Sequence, residues 1–86
     1  MFSQQFTIQN PTGLHARPAS QLVALCKTIP EDIRLVTANG PVNPTTILGI
    51  LTAGLKKGTT ITVEVEGENE QRSGERIIEF LSGLAE

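Results

Sequence analysis

Apolar and polar residues alternate at the start of the chain, with Phe2, Gln4, Phe6 and Ile8 on one side and Ser3, Gln5 and Thr7 on the other. A mostly apolar face at a period of two predicts a half-buried strand. The turn cluster Asn10-Pro11-Thr12-Gly13 ends it. From Ala16 to Lys27 the period lengthens: Ala19, Leu22, Val23 and Cys26 recur at intervals of three and four, the stripe of an amphipathic helix. Pro30 stops any continuation. Ile33 and Leu35 then alternate with Arg34, and Asn39-Gly40 suits the positive backbone angles of a tight hairpin, which returns the chain into a short strand near Val42.

After Pro44, Thr45 or Thr46 can cap a short helix of roughly two turns, and Gly54 can close it in the left-handed conformation. Thr60 to Glu66 alternates most regularly, Ile61, Val63 and Val65 opposing Thr60, Thr62, Glu64 and Glu66. Asn69 is a candidate cap for a last helix with Ile77, Ile78, Leu81 and Leu84 as its stripe. Gly74 interrupts that helix at about 1 kcal/mol relative to alanine, and nothing in the sequence explains it. The predicted order, βαββαβα, is that of an α+β open-faced two-layer sandwich: a four-stranded antiparallel sheet with three helices on one face. At 86 residues the chain is expected to form a single domain over 1–86.

Composition narrows the function. Three Phe, no Trp or Tyr, a formal net charge of -2 and scattered basic residues disfavour nucleic acid as a partner. One cysteine and one histidine cannot supply a zinc site, so neither a metal nor another cofactor is expected, and the cysteine usage fits a cytoplasmic protein. Cys26 lies on the apolar stripe of the first helix and reads as an inert core thiol. The N-terminal segment has no basic stretch followed by an apolar run, and nowhere do about 20 apolar residues follow one another, so neither export nor membrane insertion is expected. Gly49 and Gly54 have the spacing of a phosphate-binding loop, but Leu55 stands where its lysine should follow. Glu64, Glu66, Glu68 and Glu70 read as a solvated strand face and the turn beyond it.

The chemistry concentrates in GLHARPAS, Gly13 to Ser20. Gly13 permits a tight turn, and His15 falls where the first helix begins. The amides of Ala16 and Arg17 there lack intrahelical acceptors. Pro18 belongs in the first turn, where its missing N–H would have been an orphan anyway. The helix dipole and the planar guanidinium of Arg17 both favour an anion beside His15. A neutral imidazole is a competent nucleophile near pH 7, and a phosphorylated ring nitrogen stays reactive enough to hand its group on. Two readings stand side by side: a phosphoryl-carrying histidine, or a histidine that merely caps its helix.

GLHARPAS resembles the active-site segment of the HPr family, the histidine-containing phosphocarriers of the bacterial phosphotransferase system. The likeness continues through VNPTTILGILTAGLKKG and ITVEVEGENE. It implies the open-faced sandwich fold and a covalent carrier without turnover of its own. His15 would accept a phosphoryl group on Nδ1 from phosphorylated enzyme I and pass it to EIIA-type sugar-specific acceptors, with Ala16, Arg17 and Pro18 forming the phosphate site. Partner contacts would fall on Lys27 and on Ile47, Leu48 and Leu51 of the second helix, and a monomer is expected. Many HPr proteins carry a regulatory serine where this chain has Thr46, a candidate regulatory hydroxyl of a different kind; Ala24 and Gly49 stand where lysine is common. The alternatives are a regulatory binding module of the same ancestry and an HPr domain of a larger multiphosphoryl transfer protein. From the residues alone, Ile47, Leu48 and Leu51 form either a docking patch or the buried side of the helix. Gly49 gives either a partner's approach to the backbone or relief against the first helix.

Overall fold

Strand alternation decides which residues meet the helices. The computed structural model describes residues 1–85. Its elements run β1 (Phe2–Thr7), α1 (Ala16–Lys27), β2 (Asp32–Thr37), β3 (Gly40–Val42), α2 (Ile47–Thr52), β4 (Thr60–Glu66) and α3 (Glu70–Ser82). The strands form one antiparallel sheet in the order β1-β4-β2-β3. Gln4 lies across from Val63, and Val63 from Leu35, so β4 is flanked on both sides. Ile61, Val63, Val65, Ile33 and Leu35 are buried together with Leu22, Cys26, Ile50, Ile77 and Leu81 of the helices. Each such side chain withdrawn from water contributes about 1.5–3 kcal/mol.

The opposite face of the sheet is wet, as the acidic alternation predicts. Arg34 lies across β2 with its Nε 3.2 Å from Glu64 and its Nη2 3.8 Å from Glu66. Such half-exposed pairs contribute about 0.2–1 kcal/mol each. Cys26 is buried as expected, and burial pushes its thiol up to about 12.

Three local expectations change. The hairpin turns on Ala38 and Asn39, with Thr37 across from Gly40. Asn39 keeps a negative φ, and Gly40 at the head of β3 takes φ +112°. The Thr37 hydroxyl donates to the Gly40 carbonyl at 2.9 Å and accepts from the Asn39 amide at 3.1 Å, which holds the turn in that register. The second helix has six residues, and its N-cap Thr46 places no side-chain bond on the helix. Its hydroxyl instead donates to the Asn43 carbonyl at 3.1 Å, while Asn43 Oδ1 accepts from the Thr45 amide and hydroxyl. Gly54 closes the helix with φ +67°, as expected. Asn69 likewise makes no side-chain cap on α3. Glu31 reaches across from the start of β2, accepting from the Ser73 hydroxyl at 2.7 Å and the Asn69 amide at 3.3 Å. Its negative charge at a helix N-terminus is favourable.

Gly74 now has a reason. It is buried in α3 where the Phe2 ring lies against the helix backbone, and a β-carbon there would overlap the ring. Gly74→Ala therefore sets a gain of about 1 kcal/mol in helix propensity against overpacking of about 1–3 kcal/mol. Urea denaturation should show a net loss of stability, and Phe2→Leu in the same chain should recover part of it. A more stable Gly74→Ala variant would refute the contact.

Candidate functional site

The approach to α1 is built on backbone packed against backbone. Gly13 takes φ +63°, and a β-carbon on it would lie 2.5 Å from the Leu55 carbonyl oxygen and 2.7 Å from the Lys56 Cα. The Leu14 amide donates to that same Leu55 carbonyl at 2.8 Å. Beneath the turn, the buried Asn10 side chain donates from Nδ2 to the Gly13 carbonyl at 2.6 Å, and the Gly13 amide donates to the Asn10 carbonyl at 3.1 Å. Leu14 is buried, so the chain surfaces again at His15.

His15 is the N-cap residue of α1, with extended backbone angles and no side-chain cap bond. Its carbonyl accepts the first helical bond, from Ala19 N at 2.9 Å. The capping reading thus fails at the imidazole. Nδ1 points back to the turn instead, 3.0 Å from Thr12 Oγ1 and 3.3 Å from the Gly13 carbonyl. A neutral imidazole has one donor and one acceptor nitrogen. When the Thr12 hydroxyl donates to Nδ1, the ring proton sits on Nε2 and Nδ1 keeps a nucleophilic lone pair. The Gly13 carbonyl would hold the other tautomer, at the longer distance.

Thr12, Leu14, His15, Leu51, Gly54, Leu55 and Lys56 line a depression of about 250 Å³. That is space for several waters at about 30 Å³ each, and hence for a tetrahedral anion beside the ring. Larger clefts lie elsewhere, about 410 Å³ along β2 and β3, about 480 Å³ between α1 and α3 and about 380 Å³ between β3 and α2, but the imidazole lines none of them. Lys56 brings a basic side chain to the smaller one, whereas Glu31 and Asp32 line the first of the larger clefts and Glu79 the second. No acidic residue stands in the first turn of α1.

The other expected site residues are distributed around this point. Ala16 and Arg17 are exposed in the first turn of α1. Pro18 is fully buried and has no N–H, so it shapes the helix start rather than contacting an anion. Lys27 shares the solvent-facing stripe that begins at Arg17, about 15 Å further along the helix at 1.5 Å per residue, and is not brought to the histidine. On α2, Ile50 is fully buried while Ile47, Leu48 and Leu51 are 42%, 70% and 41% exposed. Burial of the whole helix is therefore excluded. Leu51 belongs to both this apolar patch and the depression, so the two surfaces are continuous.

The family model described as the phosphorylation site of the PTS HPr component matches residues 2–83. The chain belongs to the HPr family. Its curated relatives include the phosphocarrier protein HPr of Lysinibacillus sphaericus, 42% identical over 88 residues and 100% of both chains. The phosphocarrier protein HPr of Buchnera aphidicola is 38% identical over 84 residues, 98% of this chain and 99% of that one. Among solved structures, HPr-C-His from Thermoanaerobacter tengcongensis superposes with a TM-score of 0.89 at 29% identity, covering 95% of this chain and 92% of that one.

Seen in an HPr fold, two residues near the ring escaped the sequence. Thr12 stood inside a recognised turn cluster, and its position three residues before His15 was the available signal. Lys56 had none, because only the pairing of Leu14 with Leu55 brings it to the depression. Thr46, the candidate regulatory hydroxyl, is exposed at the start of α2. At the part-exposed Gly49, a β-carbon would point to the Asn43–Thr46 loop rather than α1, lying 2.6 Å from Thr46 Oγ1.

Thr12→Val removes the hydroxyl donor and keeps the shape of the side chain. Losing a bond worth about 1 kcal/mol should raise the Nδ1–H population about fivefold. Imidazole nitrogen shifts measured by NMR report the ratio, and an unaltered ratio would deny Thr12 control of the tautomer.

Proposed function

We propose that this HPr-family chain carries a phosphoryl group on His15 Nδ1, received from phosphorylated enzyme I and delivered to EIIA-type acceptors. The Nδ1 lone pair attacks phosphorus as the bond from phosphorus to the donor breaks, and that bond's electron pair stays on the donor. The ring retains its Nε2 proton and becomes a phosphorylated imidazolium. Delivery reverses the steps: the N–P bond breaks, its electrons return to Nδ1, and the acceptor forms the new bond. Catalysis here consists of positioning and charge stabilisation. The first amides of α1 and the Arg17 guanidinium are the groups best suited to the phosphoryl oxygens. Before transfer, the ring must turn Nδ1 away from Thr12 Oγ1 and Gly13 O toward the open depression.

One observation carries this reading: the imidazole at the α1 N-terminus does not cap its helix, and its Nδ1 is held beside a hydroxyl at the edge of an anion-sized depression. Incubation with phosphoenolpyruvate and enzyme I should add one acid-labile phosphoryl group, and His15→Ala should abolish it. An unlabelled parent protein would refute the carrier reading and leave a binding module of HPr ancestry. Arg17→Ala should lower the transfer rate roughly tenfold to a hundredfold with the thermal midpoint preserved, since removing one charge-stabilising donor costs up to about 10²–10³ in favourable sites.

Partner docking is assigned to the Ile47, Leu48 and Leu51 surface. Leu48 is the most exposed of the three, so Leu48→Asp should leave stability within about 0.5 kcal/mol. Its effect belongs in kcat/KM for phosphoryl uptake, through a raised KM. Unchanged uptake kinetics would remove α2 from the interface.

A further inference from the structure

We infer that Lys56 supplies the second cation of the phosphoryl site, its ammonium pairing with the phosphoryl oxygens on His15. This rests on the carrier reading and extends it to a residue on the loop after α2. Among the residues lining the depression beside His15, Lys56 is the one with a permanent charge. Its backbone is held in place: the Lys56 amide donates to Gly54 O at 3.0 Å, and its carbonyl accepts from Thr59 N at 3.0 Å. The missing side chain of Gly13 lets the turn before His15 press directly on the Lys56 Cα. The side chain is exposed and makes no ion pair among the described residues. A flexible four-carbon stem rooted at that point can follow a phosphoryl group as the ring turns, and an ammonium serves it as a point charge where Arg17 offers a planar fork. Ala24 and Gly49 leave the neighbouring helix surfaces without a lysine at those positions, so Lys56 adds positive charge from the loop.

A cation beside a phosphoryl group favours the dianion, and removing it raises the pH at which the second proton is lost. An exposed pair of this kind corresponds to a shift of about 0.2–0.7 pH unit. The test uses the full chain, phosphorylated with phosphoenolpyruvate and enzyme I, and follows phosphohistidine by phosphorus NMR across a pH titration. Lys56→Gln should move the midpoint upward by that amount, Lys56→Arg should restore it, and Lys57→Gln should leave it in place. The difference should shrink in high salt. A labelled Lys56→Gln protein that titrates like the labelled parent overturns the role of Lys56 and leaves the carrier intact. A parent that takes no label removes the phosphohistidine itself and overturns both.

Discussion

The Leu14 amide bonded to the Leu55 carbonyl holds the functional end of the molecule together. Only a glycine before Leu14 lets the two backbones approach this closely, because any side chain on Gly13 would overlap Leu55 and Lys56. One hydrogen bond, with a net worth of about 0.5–1.5 kcal/mol, thus fixes the start of α1 against the loop that follows α2. The imidazole comes from a segment far in sequence from the apolar patch and the lysine, and meets them at this junction. The buried Asn10 amide supports the turn from below, so its geometry does not depend on solvent.

Reversible group transfer asks for a nucleophile that is neither too well solvated nor locked away. In the proposed role, His15 would meet that requirement through its half-buried ring and through a hydroxyl neighbour that can give up its bond. In the proposed carrier, stabilisation of the added charge would be divided between a helix start that is rigid and side chains that move. Pro18, buried beneath the first turn, belongs to the rigid part. The exposed α2 patch touches the same depression through Leu51, so a partner seated there would exclude water from the phosphoryl group at the moment of exchange.

Legibility from the sequence followed the range of the interactions. Period-two and period-3.6 patterns place β1, α1, β2, β4 and α3 because burial of alternate or striped residues is a local consequence of backbone geometry, while turn and cap residues alone mark β3 and α2. The histidine, arginine and proline at the first helix were readable for the same reason. Gly74 was opaque because its cause, the Phe2 ring, lies near the other end of the chain. The support at the start of α3 is not legible locally because Glu31 supplies it from the loop before β2, while Asn69 at the expected position contributes no side-chain bond. At the hairpin the expected turn at Asn39-Gly40 falls one residue earlier, on Ala38 and Asn39, where the Thr37 hydroxyl holds the register. Lys56 reaches the depression only by juxtaposition, which no pattern along a single element encodes.

The docking of Phe2 into α3 also bears on how the protein is handled. Because the second residue of the chain is a core residue, a purification handle joined ahead of Met1 emerges directly beside packed aromatic surface and the start of the last helix. A stiff fusion at that point would lever the first strand off its neighbour, whereas a pliant polar spacer would let the strand keep its register while the appended module drifts clear.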